Sequence, residues 1–112
     1  MTDYFKSTSD ATTLAAGVAK VVATWDLSHF RTKSFGVKNT GANALTAALI
    51  EATHVSPSAV DADWETVDNA AFATLASGAF KSFNVADDAR PYWRLKLTSA
   101  AGSTVKAHVN AH

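Results

Sequence analysis

The chain has no cysteine among its 112 residues. Disulfides, thiolate zinc sites and thiol nucleophiles are therefore excluded together, and stability must come from packing or from partners. Two prolines and five glycines are too few for a low-complexity segment. An excess of charge of either sign is also lacking, since ten Lys and Arg balance ten Asp and Glu. A nucleic-acid binder needs a basic excess on some face to neutralise phosphates, so nucleic acid is not an expected partner. No stretch approaches the roughly 20 apolar residues of a membrane-spanning helix. The opening Met-Thr-Asp-Tyr-Phe-Lys lacks the basic region and apolar run of a secretory signal. The expectation is a soluble protein with no membrane partner. Ser, His and Asp are plentiful, yet no nucleophile elbow or glycine-rich phosphate loop frames them, so neither enzyme activity nor a cofactor is expected.

What the chain does hold is 47% hydrophobic residues with 18% charged, the balance of a folded globule. Its length fits one domain that buries roughly 65% of its unfolded surface. Two stretches echo each other. Thr13-Leu14-Ala15-Ala16-Gly17 recurs as Thr74-Leu75-Ala76-Ser77-Gly78, and Gly17 and Gly78 stand 61 positions apart, as do Asp26 and Asp87. A patterned hairpin follows each copy at an offset of 60, pairing Phe35 with Leu95, Val37 with Leu97, Leu45 with Val105, Ala47 with Ala107 and Leu49 with Val109. One residue is lost in the loop between. Two related β-units of this kind must close one core between them, because neither half can bury its apolar face alone.

Period-2 alternation locates the strands. Ala19, Val21, Ala23, Trp25 and Leu27 share one side of the first, followed by Phe35 and Val37 of the next. Asn39-Thr40-Gly41-Ala42-Asn43 supplies hairpin-turn chemistry. Residues 44–53 have helical propensity in their alanines and leucines. Their repeat partner alternates Val105, Ala107 and Val109 against Lys106, His108 and Asn110, which assigns both stretches as strands. In the second unit Trp93, Leu95 and Leu97 point inward. Ala79 to Val85 prefers Phe83 and Val85 inside, the opposite parity from the first copy, and a β-bulge reconciles the two. The pattern predicts an all-β, two-sheet β-sandwich or jelly-roll-like fold of seven to eight antiparallel strands, with an internal duplication and an extended N-terminal arm. Residues 1–12 form the arm and 13–112 the domain, with repeat units at about 13–53 and 74–112 and a connector at 54–73.

Charge is unevenly placed. Between Lys38 and Lys81 there is no Lys or Arg, while Glu51, Asp61, Asp63, Glu65 and Asp68 fall there. Such a segment either orients subunits as they dock or is a solvated acidic loop. In extended backbone Asp61, Asp63 and Glu65 would face one way, but no glycine turn accompanies them as in a calcium loop. His29, His54, His108 and His112 are too dispersed for a shared metal. Trp25 and Trp93 fall in the core by alternation, and Trp64 sits in the acidic connector, where it either packs or meets a partner or glycan. Tyr4 and Phe5 are adjacent aromatics on a polar terminus and are costly to leave in water.

The phrase Thr13 to Gly17, then Asp26-Leu27-Ser28 and Phe35-Gly36-Val37-Lys38-Asn39-Thr40-Gly41-Ala42-Asn43-Ala44-Leu45-Thr46, resembles the opening of small β-sandwich virion proteins of tailed bacteriophages, the capsid decoration or cement type. Ser77-Gly78, Phe83-Asn84-Val85, Tyr92-Trp93-Arg94-Leu95-Lys96-Leu97 and Ala101-Gly102-Ser103-Thr104-Val105 look like their second half. The same phrases occur in tail, fibre and adhesin domains. The resemblance implies a non-enzymatic protein made in the host cytoplasm and carried on the capsid surface of the virion. It would decorate and stabilise the shell through non-covalent contacts with the major capsid protein, as a homo-oligomer, a trimer being favoured. Tyr4 and Phe5 would supply apolar anchors, and Asp61, Asp63, Trp64 and Glu65 the register of partner binding. The alternative is a receptor- or glycan-binding domain of a phage tail or fibre using an exposed Trp64 or Tyr92, and a third, more distant reading is a tail-tube or connector protein.

Overall fold

Alternation of apolar and polar residues turns about half of the chain into strands, and nine form within the described residues, 5–112, of the computed structural model. They are β1 (Phe5–Thr8), β2 (Thr12–Leu14), β3 (Lys20–Asp26), β4 (Lys33–Asn39), β5 (Ala47–Thr53), β6 (Glu65–Asp68), β7 (Phe80–Val85), β8 (Tyr92–Thr98) and β9 (Ser103–Ala111). A first sheet runs β1-β9-β4-β7, with β2 also on β9, and a second runs β3-β8-β5-β6. Every pairing is antiparallel. The predicted two-sheet β-sandwich is the fold observed, with nine strands where seven to eight were expected, and residues 5–8 of the expected N-terminal arm form β1, paired with β9. Between the sheets lies a core in which Phe35 packs on Trp25 at 5.7 Å and on Trp93 at 5.4 Å between ring centroids.

The repeat expected from the sequence has a counterpart in the strand order. Exchanging β3, β4 and β5 with β7, β8 and β9 turns the run β3-β8-β5 of the second sheet into β7-β4-β9, a run of the first. Each unit therefore crosses from one sheet to the other and back, so both sheets contain strands of both copies. Local geometry repeats as well. Gly17 and Gly78 have φ of 71° and 77°, a left-handed conformation that glycine adopts without a Cβ clash. The Gly17 N–H donates to the Ser99 carbonyl at 2.9 Å, and the Gly78 N–H to that of Asn39 at 2.8 Å. The edge strands β3 and β7 each carry a lysine near their start, Lys20 opposite Leu97 and Lys81 opposite Val37. Both lysines sit in the inward-facing row at a sheet edge, a placement that discourages edge-to-edge pairing with other chains.

Three expectations are corrected in detail. β3 carries a register shift between Val21 and Ala23, so the parity predicted for this strand holds only after it. Ala23, Trp25 and Leu27 face the core while Val21 is exposed. In β5 the inward residues are Ala48, Ile50 and Ala52, opposite Leu97, Leu95 and Trp93. The true repeat partners of Ala48 and Ile50 are then Ala107 and Val109, an offset of 59, so the predicted Ala47 and Leu49 pairings slip by one residue and exchange faces. The connector is not extended at its acids, because Asp61–Asp63 is a 3-10 turn. That turn breaks the common face expected of Asp61, Asp63 and Glu65.

Candidate interaction surfaces

The outer face of the second sheet carries Glu51 on β5 and Arg94 on β8 at paired positions. Over them folds the connector. The Arg94 Nε donates to Glu51 at 2.8 Å, its terminal nitrogen donates to Asp61 at 2.9 Å, and its guanidinium lies 4.4 Å from the centroid of the Trp64 ring. The Trp64 indole N–H donates to the Ala59 carbonyl at 3.1 Å. Arg94, Glu51 and Trp64 are each only 6% exposed. A desolvated guanidinium under an aromatic face, with carboxylates on its edges, is the arrangement in which such a charge is tolerated. Lys96 adds an ion pair to Asp61 at 3.6 Å, and Arg90 one to Glu65 at 3.7 Å. The hydrogen bond from Arg94, assisted by the charge of Lys96, holds the Asp61 carboxyl below its ordinary value.

Part of the acidic segment is therefore neutralised inside the chain. Asp61 and Glu65 remain largely exposed although paired, with side chains 76% and 64% accessible. Asp63 is exposed and Trp64 is buried. Phe5 lies apart from this cluster on β1, at the edge of the other sheet, half-buried with its ring centroid 5.9 Å from that of Phe30. Tyr4 lies outside the described residues. The six residues predicted to meet a partner thus do not form one surface: four gather over the second sheet, and Phe5 does not join them.

A second polar cluster went unread in the sequence. Lys33, fully buried, sends its ammonium to the Asp88 carbonyl and lies 5.1 Å from the Trp93 ring centroid. Burial pushes its pKa below the ordinary lysine value, with the Asp88 charge opposing. Arg90 grips the Asp88 carboxylate at 2.6 Å, and this hydrogen bond is foremost in holding that carboxyl low. Lys33 and Trp93 occupy equivalent positions of the two copies, at an offset of 60. Nothing in residue spacing signals that one copy's lysine stacks on the other's tryptophan.

The outer face of the first sheet is bare. Lys6, Lys38 and Lys106 stand on it with His108, and none of its outward strand positions bears a carboxylate. The Thr8 hydroxyl and His108 Nδ1 are 2.9 Å apart, and Phe80 meets the imidazole edge-on at 5.8 Å. Phe80 is 57% exposed. Its ring crosses Gly36, where a Cβ would come within 2.9 Å of it. Lys6, Thr8, Phe80 and His108 line a depression of about 230 Å³. The inward parity of Phe83 and Val85 had already implied an outward Phe80. Among the described residues, no three His, Asp or Glu side chains gather where they could hold a metal ion. No described helix is long and apolar enough to cross a membrane.

No protein-family model matches the chain, and no curated protein matches it. Its sandwich is found in solved structures. It is similar to PirA at 14% identity and a TM-score of 0.58, over 100% of this chain and 96% of PirA. It is similar to YomS, derived from the SPBc2 prophage, at 12% identity and a TM-score of 0.54, over 100% of this chain and 97% of YomS. The VP2 subviral particle of infectious bursal disease virus is a third, at 14% identity and a TM-score of 0.57, over 97% of this chain but 32% of VP2. At these identities the likeness is one of fold.

Proposed function

We propose that the protein is a phage virion structural protein, non-catalytic, that decorates the capsid exterior and stabilises it by non-covalent contacts with the major capsid protein. The observation that supports this most is the sandwich, a fold this chain shares with a prophage-derived protein and with part of the VP2 chain of a viral particle. Its unusual polar groups, Arg94 and Lys33, are taken up in holding the chain together. What remains to act is surface. In this reading the protein is a homo-oligomer, a trimer by preference. The N-terminal arm with Tyr4 supplies an apolar anchor, and the exposed acids Asp61, Asp63 and Glu65 supply register. Binding the assembled shell and not its separated subunits stabilises the shell by mass action.

The glycan-binding alternative asks for an exposed Trp64 or Tyr92 beside polar groups in a concave site. Trp64, itself in the connector, is instead buried with Arg94 against its ring, which weighs against Trp64 in that role, while Tyr92 on β8 is half-buried. Counting copies per virion by quantitative mass spectrometry tests the proposal, with hundreds expected for a decoration subunit. A few copies, as on a tail or fibre, would overturn it. A variant lacking residues 1–4 leaves β1 intact and should lose particle occupancy; full occupancy would remove the arm from the mechanism.

A further inference from the structure

We propose that the bare outer face of the first sheet docks, head to tail, on the acidic connector of a second copy of this chain. The inference rests on the homo-oligomeric part of the proposed function and names the two surfaces that make the contact. On one side stand Lys6, Lys38, Lys106 and His108 with no outward carboxylate among the strand positions. On the other stand Asp61, Asp63 and Glu65, of which Asp63 makes none of the ion pairs that Asp61 and Glu65 make within the chain. Opposite charges on two faces of one chain attract copies in this orientation and repel the face-to-face one.

Apolar groups sit on the same two surfaces. Phe80 is 57% exposed on the sheet face, and Val55 and Val60 are 62% and 67% exposed on the connector. These three are among only five large hydrophobic residues exposed in the described chain. The depression beside Phe80 holds about 230 Å³, below the roughly 300–1,000 Å³ of a small-molecule pocket. It suits an aliphatic side chain offered by a protein surface, with Val60 as the candidate knob. A contact between unlike surfaces repeats around a ring when its rotation closes, the geometry a trimer requires.

The test uses the full chain in solution, with mass measured by light scattering after size exclusion across concentration and salt. Association that weakens as salt rises is expected, because the contact is charge-guided. Phe80→Ser on the face and Val60→Asp on the connector are both exposed and leave the core intact. Each should weaken association by about tenfold or more, the effect of removing an interface anchor. Lys106→Glu should weaken it as well, and adding Asp63→Lys to Lys106→Glu should recover part of the loss. A monomer at every concentration overturns the proposal. So does association that responds to Phe80→Ser but not to Val60→Asp, which would mean face-to-face pairing. Virion copy number is measured separately, so a failure here is distinguishable from a failure of the virion assignment.

Discussion

Arg94 shows how one residue can decide what a segment is for. A guanidinium on the outer face of a sheet is ordinarily solvated, yet here it is covered by Trp64 and held by Glu51 and Asp61. Removing Glu51, the buried partner, leaves an uncompensated buried charge, a loss on the order of 3–5 kcal/mol. Asp88 offers the clearest pH signature. Its folded carboxyl is held below the ordinary 3.8 by Arg90. Between the two values the unfolded chain binds more protons, so stability rises with pH across that window and is complete above it. As pH falls through the folded value the contribution is lost. Asp88→Asn should therefore be less stable than the parent by about 1 kcal/mol near neutrality. Its stability should also fall less steeply below about pH 4. Urea unfolding at several pH values checks both.

At the scale of elements, the two copies permit a controlled comparison. Gly17 and Gly78 adopt the same left-handed turn, and a Cβ at either would meet nothing within 4 Å. The cost of Gly17→Ala and Gly78→Ala is then backbone strain alone, about 1 kcal/mol each. The two should match within error in equilibrium unfolding; a large difference would mean the turns are not equivalent. Much of this level was legible in the sequence. Alternation found β4, β8 and β9 because each sets apolar residues against polar ones. It failed in β5 because Ala47-Ala48-Leu49-Ile50 offers no polar residue to fix parity, and a one-residue slip then goes unseen. It failed before the β3 bulge for a related reason, since Val21 and Val22 are equally apolar. The connector's role as a cover was not legible, because it depends on a buried arginine that composition alone would place in solvent. Phe80 and His108 were overlooked as a pair because β9 and β7 are joined only through β4.

Across the whole molecule, neither copy owns a sheet. β3 and β5 lie in the second sheet and β4 in the first, while β7 and β9 lie in the first and β8 in the second. Every pairing among these six strands joins one copy to the other, and most pairings close long loops, which slows folding. The connector joins the two copies, and its stretch around Val55 to Ser58 is largely exposed. Severing the chain there leaves two polypeptides whose strands are laced through one another. After limited proteolysis at that loop, the fragments should co-elute as a single particle with native-like spectra and part only in denaturant. A protein made this way can survive a broken backbone, as a woven cloth survives a cut thread.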